Sequence, residues 1–162
     1  MKQSEVSKEA WEFYAKVGDV IAREKRQIIS VKGGKHHFDF VYTIGNQEKN
    51  LPELLLIGDR SDHAVRLLIL LSDKMIEQKG PFEDEEIVQV TSGLSVKLID
   101  AKDPIAKMEY TVQAGIFYKC EDYKVQQVVV PDAAGKWPEE AECHADYKVP
   151  LLRNAIVMPE AS

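Results

Sequence analysis

Several side chains in the sequence are of the types that hold metal ions in proteins. Adjacent histidines in a predicted strand point to opposite faces, so His36 and His37 do not both bind one ion, and only His37 and Asp39 share a side. The Cys143-His144 pair has no second pair at a metal-ligand spacing. The spacing therefore predicts no metal ion and no cofactor, although six candidate ligands are present: His36, His37, Asp39, His63, Cys143 and His144.

The two cysteines, Cys120 and Cys143, are the candidate nucleophiles. Neither lies in a nucleophile elbow or in a family-specific cysteine signature. Free thiols in a reducing compartment are favoured, with one disulfide as the alternative. The sequence therefore assigns no catalytic residue.

The segment "LLLIGDRSDHA", residues 54–64, has the order strand, glycine, short loop and helix start. Free amides and the positive dipole end of such a helix attract anions, and Arg60 would act as a clamp. Asp59 and Asp62 oppose an anion, and no glycine-rich signature precedes the helix. Ordinary helix capping is therefore preferred over a phosphate site.

The charge of the chain limits its partners. A formal net charge of −6 repels nucleic acids and anionic membranes. The basic stretches Arg23–Gln27 and Lys32–His37 lack the interleaved aromatic residues of single-strand binders. We therefore predict no nucleic-acid and no membrane partner, whereas the acidic runs Glu83–Glu86 and Glu139–Glu142 suit a basic protein partner or simple solubility.

The N-terminal residues "MKQSEVSKEAWEFY" lack the apolar core and cleavage site of a signal peptide. No apolar run approaches the roughly 18 residues of a membrane span. The expected location is the cytoplasm.

Periodicity and turn residues predict the elements of the first half of the chain. Gly33-Gly34 suits a tight hairpin turn, with His36, Phe38, Phe40 and Tyr42 on one face of the second strand. His37, Asp39, Val41 and Thr43 then lie on the other face. The predicted elements are a helix at 8–25, two strands around Gly33-Gly34, a strand from Pro52 to Gly58 and a helix at 62–78.

The second half continues with a hairpin around the "TSG" turn at 91–93. A third helix begins at Pro104 with Asp103 as its cap, and the strand "YKVQQVVV" follows. From about residue 131 the chain reads as an irregular C-terminal tail. The order α-β-β-β-α-β-β-α-β predicts one α+β domain over residues 1–162, with a mostly antiparallel or mixed sheet and about three packed helices.

Three separated blocks resemble the bacterial and phage family catalogued as domain of unknown function 4262. They are "FVYTIGNQEKNLPELLLIGD" from Phe40 to Asp59, "QQVVVPDAAGKWP" from Gln126 to Pro138, and "VPLL" from Val149 to Leu152. The resemblance spans about Phe38 to Leu152. Leu51 departs from the family pattern, in which a histidine precedes Pro52. The resemblance implies a shared set of polar residues at strand ends but no reaction.

Two hypotheses follow for these polar residues. Glu53, which follows Pro52 where a strand begins, accepts hydrogen bonds from amides of the adjacent loop in the preferred hypothesis. In the other, Tyr42, Thr43, Glu53 and Arg60 form one pocket for a small polar ligand, and Asp132 belongs to the same shared set. The predicted ligand-binding residues are Tyr42, Thr43, Glu53, Arg60 and Asp132.

The expected function is that of a soluble accessory protein that binds a protein partner or a small polar ligand without catalysis, as an inhibitor, immunity or regulatory factor. The alternative is a small enzyme that acts on a nucleotide-like or other polar metabolite. Glu53 or Asp132 would then be the general base, and Arg60 would hold an anion. Convergence of Tyr42, Glu53 and Arg60 on a pocket would favour an enzyme or a ligand-binding protein. An exposed apolar patch beside Glu83–Glu86 would favour a protein partner.

Overall fold

The computed structural model describes residues 8–35, 37–120 and 122–153, with the side chains of Ala10, Trp11 and Tyr14 excepted. Its elements follow the predicted α+β order. They are α1 Lys8–Glu24, β1 Gln27–Val31, β2 Phe40–Ile44, β3 Glu53–Ile57, α2 Asp62–Gln78, β4 Glu86–Thr91, β5 Leu94–Asp100, α3 Pro104–Tyr110, α4 Val112–Tyr118 and β6 Val125–Val129.

The strands form one mixed sheet of six in the order β1-β2-β3-β6-β5-β4. Each neighbouring pair is antiparallel except β3 and β6, which run parallel with Glu53 opposite Val125. β3 and β6 lie at the centre, and all five residues of each are buried. The continuous apolar run in β3 thus fits a strand that is covered on both faces.

Helices cover both faces of the sheet, so the protein has three layers. On one face, α2 buries Leu67, Leu68, Leu71 and Met75 against the sheet. On the other face lie α1, α3 and α4, with a core that includes residues of all three helices and Leu152 of the C-terminal tail. None of the described helices is both long enough and apolar enough to span a membrane.

The first predicted hairpin is wrong in its turn. β1 ends at Val31 and β2 begins only at Phe40, so Gly33-Gly34 does not form a two-residue connection. The Asp39 carboxylate accepts a hydrogen bond of 2.7 Å from the Gly33 amide, which connects the two ends of a longer link between β1 and β2. His36, one of the proposed metal ligands, lies outside the described residues.

The third predicted helix begins at Pro104 as expected, and the Asp103 carboxylate caps the amide of Ile105. It is divided into α3 and α4 at Thr111, whose φ of −117° and ψ of 43° are not helical. The Thr111 hydroxyl contacts the Tyr123 hydroxyl at 2.7 Å beneath the break. The predicted third helix is therefore two short segments, and the residue at the break is in contact with Tyr123.

Candidate functional site

Glu53 is the first residue of β3, at the centre of the sheet. Its side chain is 0% exposed, although a carboxylate is among the costliest groups to bury. Its own amide donates to the carbonyl of Lys124, which begins the parallel pairing with β6. The sheet therefore fixes the carboxylate beneath the turn that joins β2 to β3.

The Glu53 carboxylate accepts hydrogen bonds from five groups of the protein. Oε1 accepts from the Thr43 hydroxyl at 2.7 Å and from the amide of Asn46 at 3.2 Å. Oε2 accepts from the amides of Gly45 and Gln47, each at 3.1 Å, and from the Tyr118 hydroxyl. These are the loop-amide contacts that the preferred hypothesis predicted for a glutamate at the start of this strand.

The turn needs such an acceptor because it opens a short 3-10 helix, Asn46–Lys49. The first amides of a helix have no partner within it, and a negative charge near them is stabilising. Gly45 adopts a φ of 129°, and a Cβ at this position would lie 2.9 Å from the carbonyl oxygen of Lys25. Both residues therefore stabilise the buried turn: Gly45 adopts the required backbone conformation, and Glu53 accepts hydrogen bonds from the amides.

Thr43 extends this hydrogen-bond network towards α2. Its hydroxyl donates to Glu53 and accepts from the amide of Leu54 at 2.9 Å. The side-chain amide of Asn46 donates through Nδ2 to the Thr43 hydroxyl at 3.3 Å and to the Ser72 hydroxyl at 3.0 Å. The network thus connects β2, β3 and α2 through buried polar groups.

Tyr42 lies on the opposite face of β2, because successive strand residues alternate. Its hydroxyl accepts a hydrogen bond of 3.0 Å from the amide of Gln113 in α4, and burial raises its pKa. Tyr118 ties α4 to the turn, and burial together with the Glu53 charge raises the pKa of its phenol. Both tyrosines therefore remain protonated and hold α4 against the sheet.

The ionisation of Glu53 reflects two opposing effects. Burial is the larger effect and raises the pKa of the carboxyl group above its usual value, although hydrogen bonds from Tyr118, Thr43, Gln47 and Gly45 lower it in part. All of these donors belong to the protein. The hydrogen bonds of the Glu53 carboxyl group are thus made within the protein, to the turn and to Tyr118.

Arg60 and Asp132 lie away from this network. Arg60 follows the other end of β3 and forms an ion pair of 3.3 Å with Asp39. Asp132 accepts from the amide of His144 at 2.9 Å and from the amides of Ala134 and Lys136, which lower its pKa. The structure brings Thr43 and Glu53 together and does not bring Arg60 or Asp132 to them. Tyr42 lies on the opposite face of β2 from Thr43, and its hydroxyl is bonded to the Gln113 amide rather than to Glu53. The expected single pocket does not form among the described residues, and ligand binding by these side chains stays a prediction.

A cleft of about 580 Å³ opens at the other end of β3, where β3 and β6 finish side by side. We call it the carboxyl-end cleft. Its polar rim includes His63 and Arg66, one turn apart on α2. Neither side chain makes a hydrogen bond or an ion pair with a described residue. Its floor is apolar and consists of Leu56, Leu67, Val90, Leu94, Val130 and Val149.

His63 and Arg66 were not among the predicted ligand-binding residues. The nearest signal was the segment "LLLIGDRSDHA", for which an anion site at the start of α2 was the alternative to the preferred helix capping. That segment named Arg60 as the cation, but the loop pairs Arg60 with Asp39. The free cation at this cleft lies instead on the second turn of α2.

No group of three or more histidine, cysteine, aspartate or glutamate side chains within residues 8–35, 37–120 and 122–153 is arranged to hold a metal ion. Cys120 is exposed and Cys143 is buried, and both are free thiols.

We predict that Glu53→Ala lowers the free energy of unfolding by about 3–5 kcal/mol, because it leaves several buried donors without an acceptor. Glu53→Gln keeps one acceptor oxygen but turns its NH₂ group towards a backbone amide, so we expect a loss of about 1–3 kcal/mol. Urea denaturation followed by circular dichroism measures both changes.

The matched control is Glu48→Ala, because Glu48 lies exposed in the same turn. Its effect should stay within about 0.5 kcal/mol. If Glu53→Ala is no more destabilising than Glu48→Ala, the carboxylate does not support the turn.

A protein-family match covers most of the chain. The family described as a domain of unknown function, DUF4262, matches residues 20–144 of the chain. Comparison with curated proteins and with solved structures finds no match. The matched region runs from the last turns of α1 to the C-terminal tail and contains the whole sheet. The chain therefore belongs to the DUF4262 family of domains of unknown function.

Proposed function

We propose that the protein is a non-catalytic binding protein and that its ligand occupies the carboxyl-end cleft. The ligand is a small molecule with an apolar body and one anionic group. The position of the cleft, at the carboxyl ends of the parallel strands β3 and β6, is the observation that carries this proposal.

The chain leaves these two strand ends towards opposite faces of the sheet. After β3 it enters α2, which packs on one face. After β6 it continues into the tail, whose Val149 and Leu152 pack on the other face. Crevices at such points, beyond the carboxyl ends of parallel strands, are the usual ligand sites of sheets with helices on both faces.

The size and lining of the cleft suit a small amphipathic ligand. Its volume of about 580 Å³ lies within the range of known small-molecule sites, about 300–1,000 Å³. The apolar floor would take the body of the ligand. The polar groups at the rim would then fix its orientation.

The charges at the rim favour an anionic group near Arg66. Asp59 is engaged by the amide and hydroxyl of Ser61, and Asp146 lies 3.6 Å from the His144 ring nitrogen. Arg66 has no such partner among the described residues, and its guanidinium can pair with a carboxylate or phosphate through two hydrogen bonds. The proposal retains the expectation of a cytoplasmic protein of bacterial or phage origin.

We predict that Arg66→Ala weakens binding of an amphipathic carboxylate, with octanoate as the probe, by at least about tenfold, because a charged hydrogen bond is lost. Isothermal titration measures the dissociation constant. Lys74→Ala is the matched control, since Lys74 is an exposed cation on the same helix outside the cleft lining.

Equal binding to both variants would contradict the assignment of Arg66. Native mass spectrometry of protein purified from its own host identifies the natural ligand. If that ligand is chemically altered during incubation with the protein, the enzyme alternative replaces the binding function.

A second candidate function, protein-partner binding, is favoured by the solvent side of α3 and α4. Four apolar side chains lie there at helical spacing and form what we call the outer α3–α4 face: Ile105, Met108, Val112 and Ile116, exposed to 69%, 37%, 53% and 52%. Monomeric proteins rarely expose large contiguous apolar patches without a binding role.

The outer α3–α4 face begins close to the acidic run Glu83–Glu86. Asp84 of that run accepts from the amide of Asp100 and forms an ion pair of 2.8 Å with Lys102, just before α3. An apolar patch beside this run is the feature expected for a protein partner. We propose as its partner a protein segment that presents apolar residues flanked by basic side chains.

We expect the double change Ile105→Ser and Ile116→Ser to reduce recovery of a specific co-purifying protein at least tenfold, measured by quantitative mass spectrometry of affinity-purified material. Ile87→Ser is the control, because Ile87 is 57% exposed on β4, outside this face. Thermal melting of all variants should match that of the unmodified protein. Recovery of the same proteins with the double variant and with Ile87→Ser would contradict a partner site on α3 and α4.

A further inference from the structure

A second cleft, of about 690 Å³, lies at the amino ends of β3 and β6 and the carboxyl end of β5. We call it the amino-end cleft. It is separated from the carboxyl-end cleft by the length of β3, so binding in this cleft is independent of the proposed function. Leu51, where the resemblance leads one to expect a histidine, is part of its lining.

Gln126 is the most constrained polar residue of the amino-end cleft. It is 3% exposed and lies opposite Asp100 in the antiparallel pair of β5 and β6. Its Nε2 group donates to the carbonyl of Phe82 at 2.7 Å and to Asp100 Oδ1 at 2.9 Å. Its Oε1 atom is buried and has no hydrogen-bond partner among the described residues.

The two acceptors beside the Gln126 side-chain amide fix its orientation. Reversing it would bring an oxygen against two acceptors, the Phe82 carbonyl and the Asp100 carboxylate, and would lose both hydrogen bonds. Oε1 therefore remains the unpaired atom. Because a buried acceptor without a donor costs free energy, such an atom is a place where water or a ligand donor binds.

Asp100 adds a carboxylate acceptor beside the same side-chain amide. Its Oδ1 accepts from Gln126, and no described group donates to its Oδ2. An amide oxygen beside a carboxylate oxygen fits a group with several N–H donors and a positive charge, such as a primary ammonium.

The remaining charges of the cleft indicate what else the ligand carries. The acidic side chains Asp100 and Asp122 are balanced by Lys107 and Lys124 in the same lining. The Lys107 ammonium is directed to the Tyr123 carbonyl at 2.8 Å and lies 4.6 Å from the Tyr123 ring. A cleft with both signs of charge favours a ligand that is itself zwitterionic over a simple cation.

We propose that the amino-end cleft binds a small zwitterion of the amino-acid type. Its ammonium group donates to Gln126 Oε1 and to the Asp100 carboxylate. Its carboxylate lies near the basic residues of the cleft lining, Lys107 and Lys124.

The test uses the NMR signal of the Gln126 side-chain amide, assigned with the variant Gln126→Leu. Each common amino acid is titrated into the protein in turn. Trimethylglycine serves as the matched ligand, because it has the same two charges but no N–H donor. We expect a saturable shift of the Gln126 signal with at least one amino acid and no saturable shift with trimethylglycine.

Asp100→Asn keeps an acceptor for Gln126 but removes the charge, so it should weaken this binding by at least about tenfold. Glu109→Gln is the control, since Glu109 is an exposed carboxylate of α3 outside the cleft lining, and it should bind like the unmodified protein.

Three results would each overturn the proposal. They are the absence of a saturable shift with every amino acid, which is the result for a site that holds only water; an equal shift with trimethylglycine; and unchanged affinity in a folded Asp100→Asn protein.

Discussion

The buried carboxylate of Glu53 is the interaction on which the centre of the structure depends. It accepts hydrogen bonds from the backbone amides of Gly45, Asn46 and Gln47 and so stabilises the turn between β2 and β3. Through the Tyr118 hydroxyl it also holds α4 on one face of the sheet. Through Thr43 and Asn46 the same network reaches Ser72 of α2 on the other face. One buried carboxyl group thus connects both helical layers to the central strand.

The two clefts follow from the same strand. β3 and β6 are parallel neighbours at the centre of a sheet that is otherwise antiparallel among the described strands, so their ends coincide. At the carboxyl ends the chain separates towards two faces and leaves the apolar floor beside α2. At the amino ends the buried Glu53 network occupies one side, and Gln126 with Asp100 faces the cleft on the other. The fold therefore uses Glu53 for its own turn, and the polar groups that line the two clefts are others.

Local patterns in the sequence predicted the local elements, and non-local contacts decided the rest. The apolar spacing in residues 62–78 predicted α2, and Asp103-Pro104 predicted the start of α3. Both signals depend only on residues that are close in the chain. The break at Thr111 is in contact with Tyr123, which is distant in the chain. Arg60 pairs with Asp39, which the hairpin pattern placed on the second strand and the structure places before β2. Strand alternation already placed Tyr42 and Thr43 on opposite faces, so one pocket for both was inconsistent with the predicted strand. Parallel pairing of β3 with β6 joins residues far apart in the chain, and no local pattern indicates it.

Native-state hydrogen exchange of the Asn46 and Gln47 amides tests the central role of Glu53 most directly. Glu53 is the acceptor for both amides, although the turn that carries them joins two strands as a loop does. If the carboxylate organises this part of the fold, both amides exchange only when the protein unfolds globally, at rates within about tenfold of that of Leu54 in β3. Exchange of both amides at the rate of the exposed residues of the same turn, while Leu54 stays protected, would contradict the account.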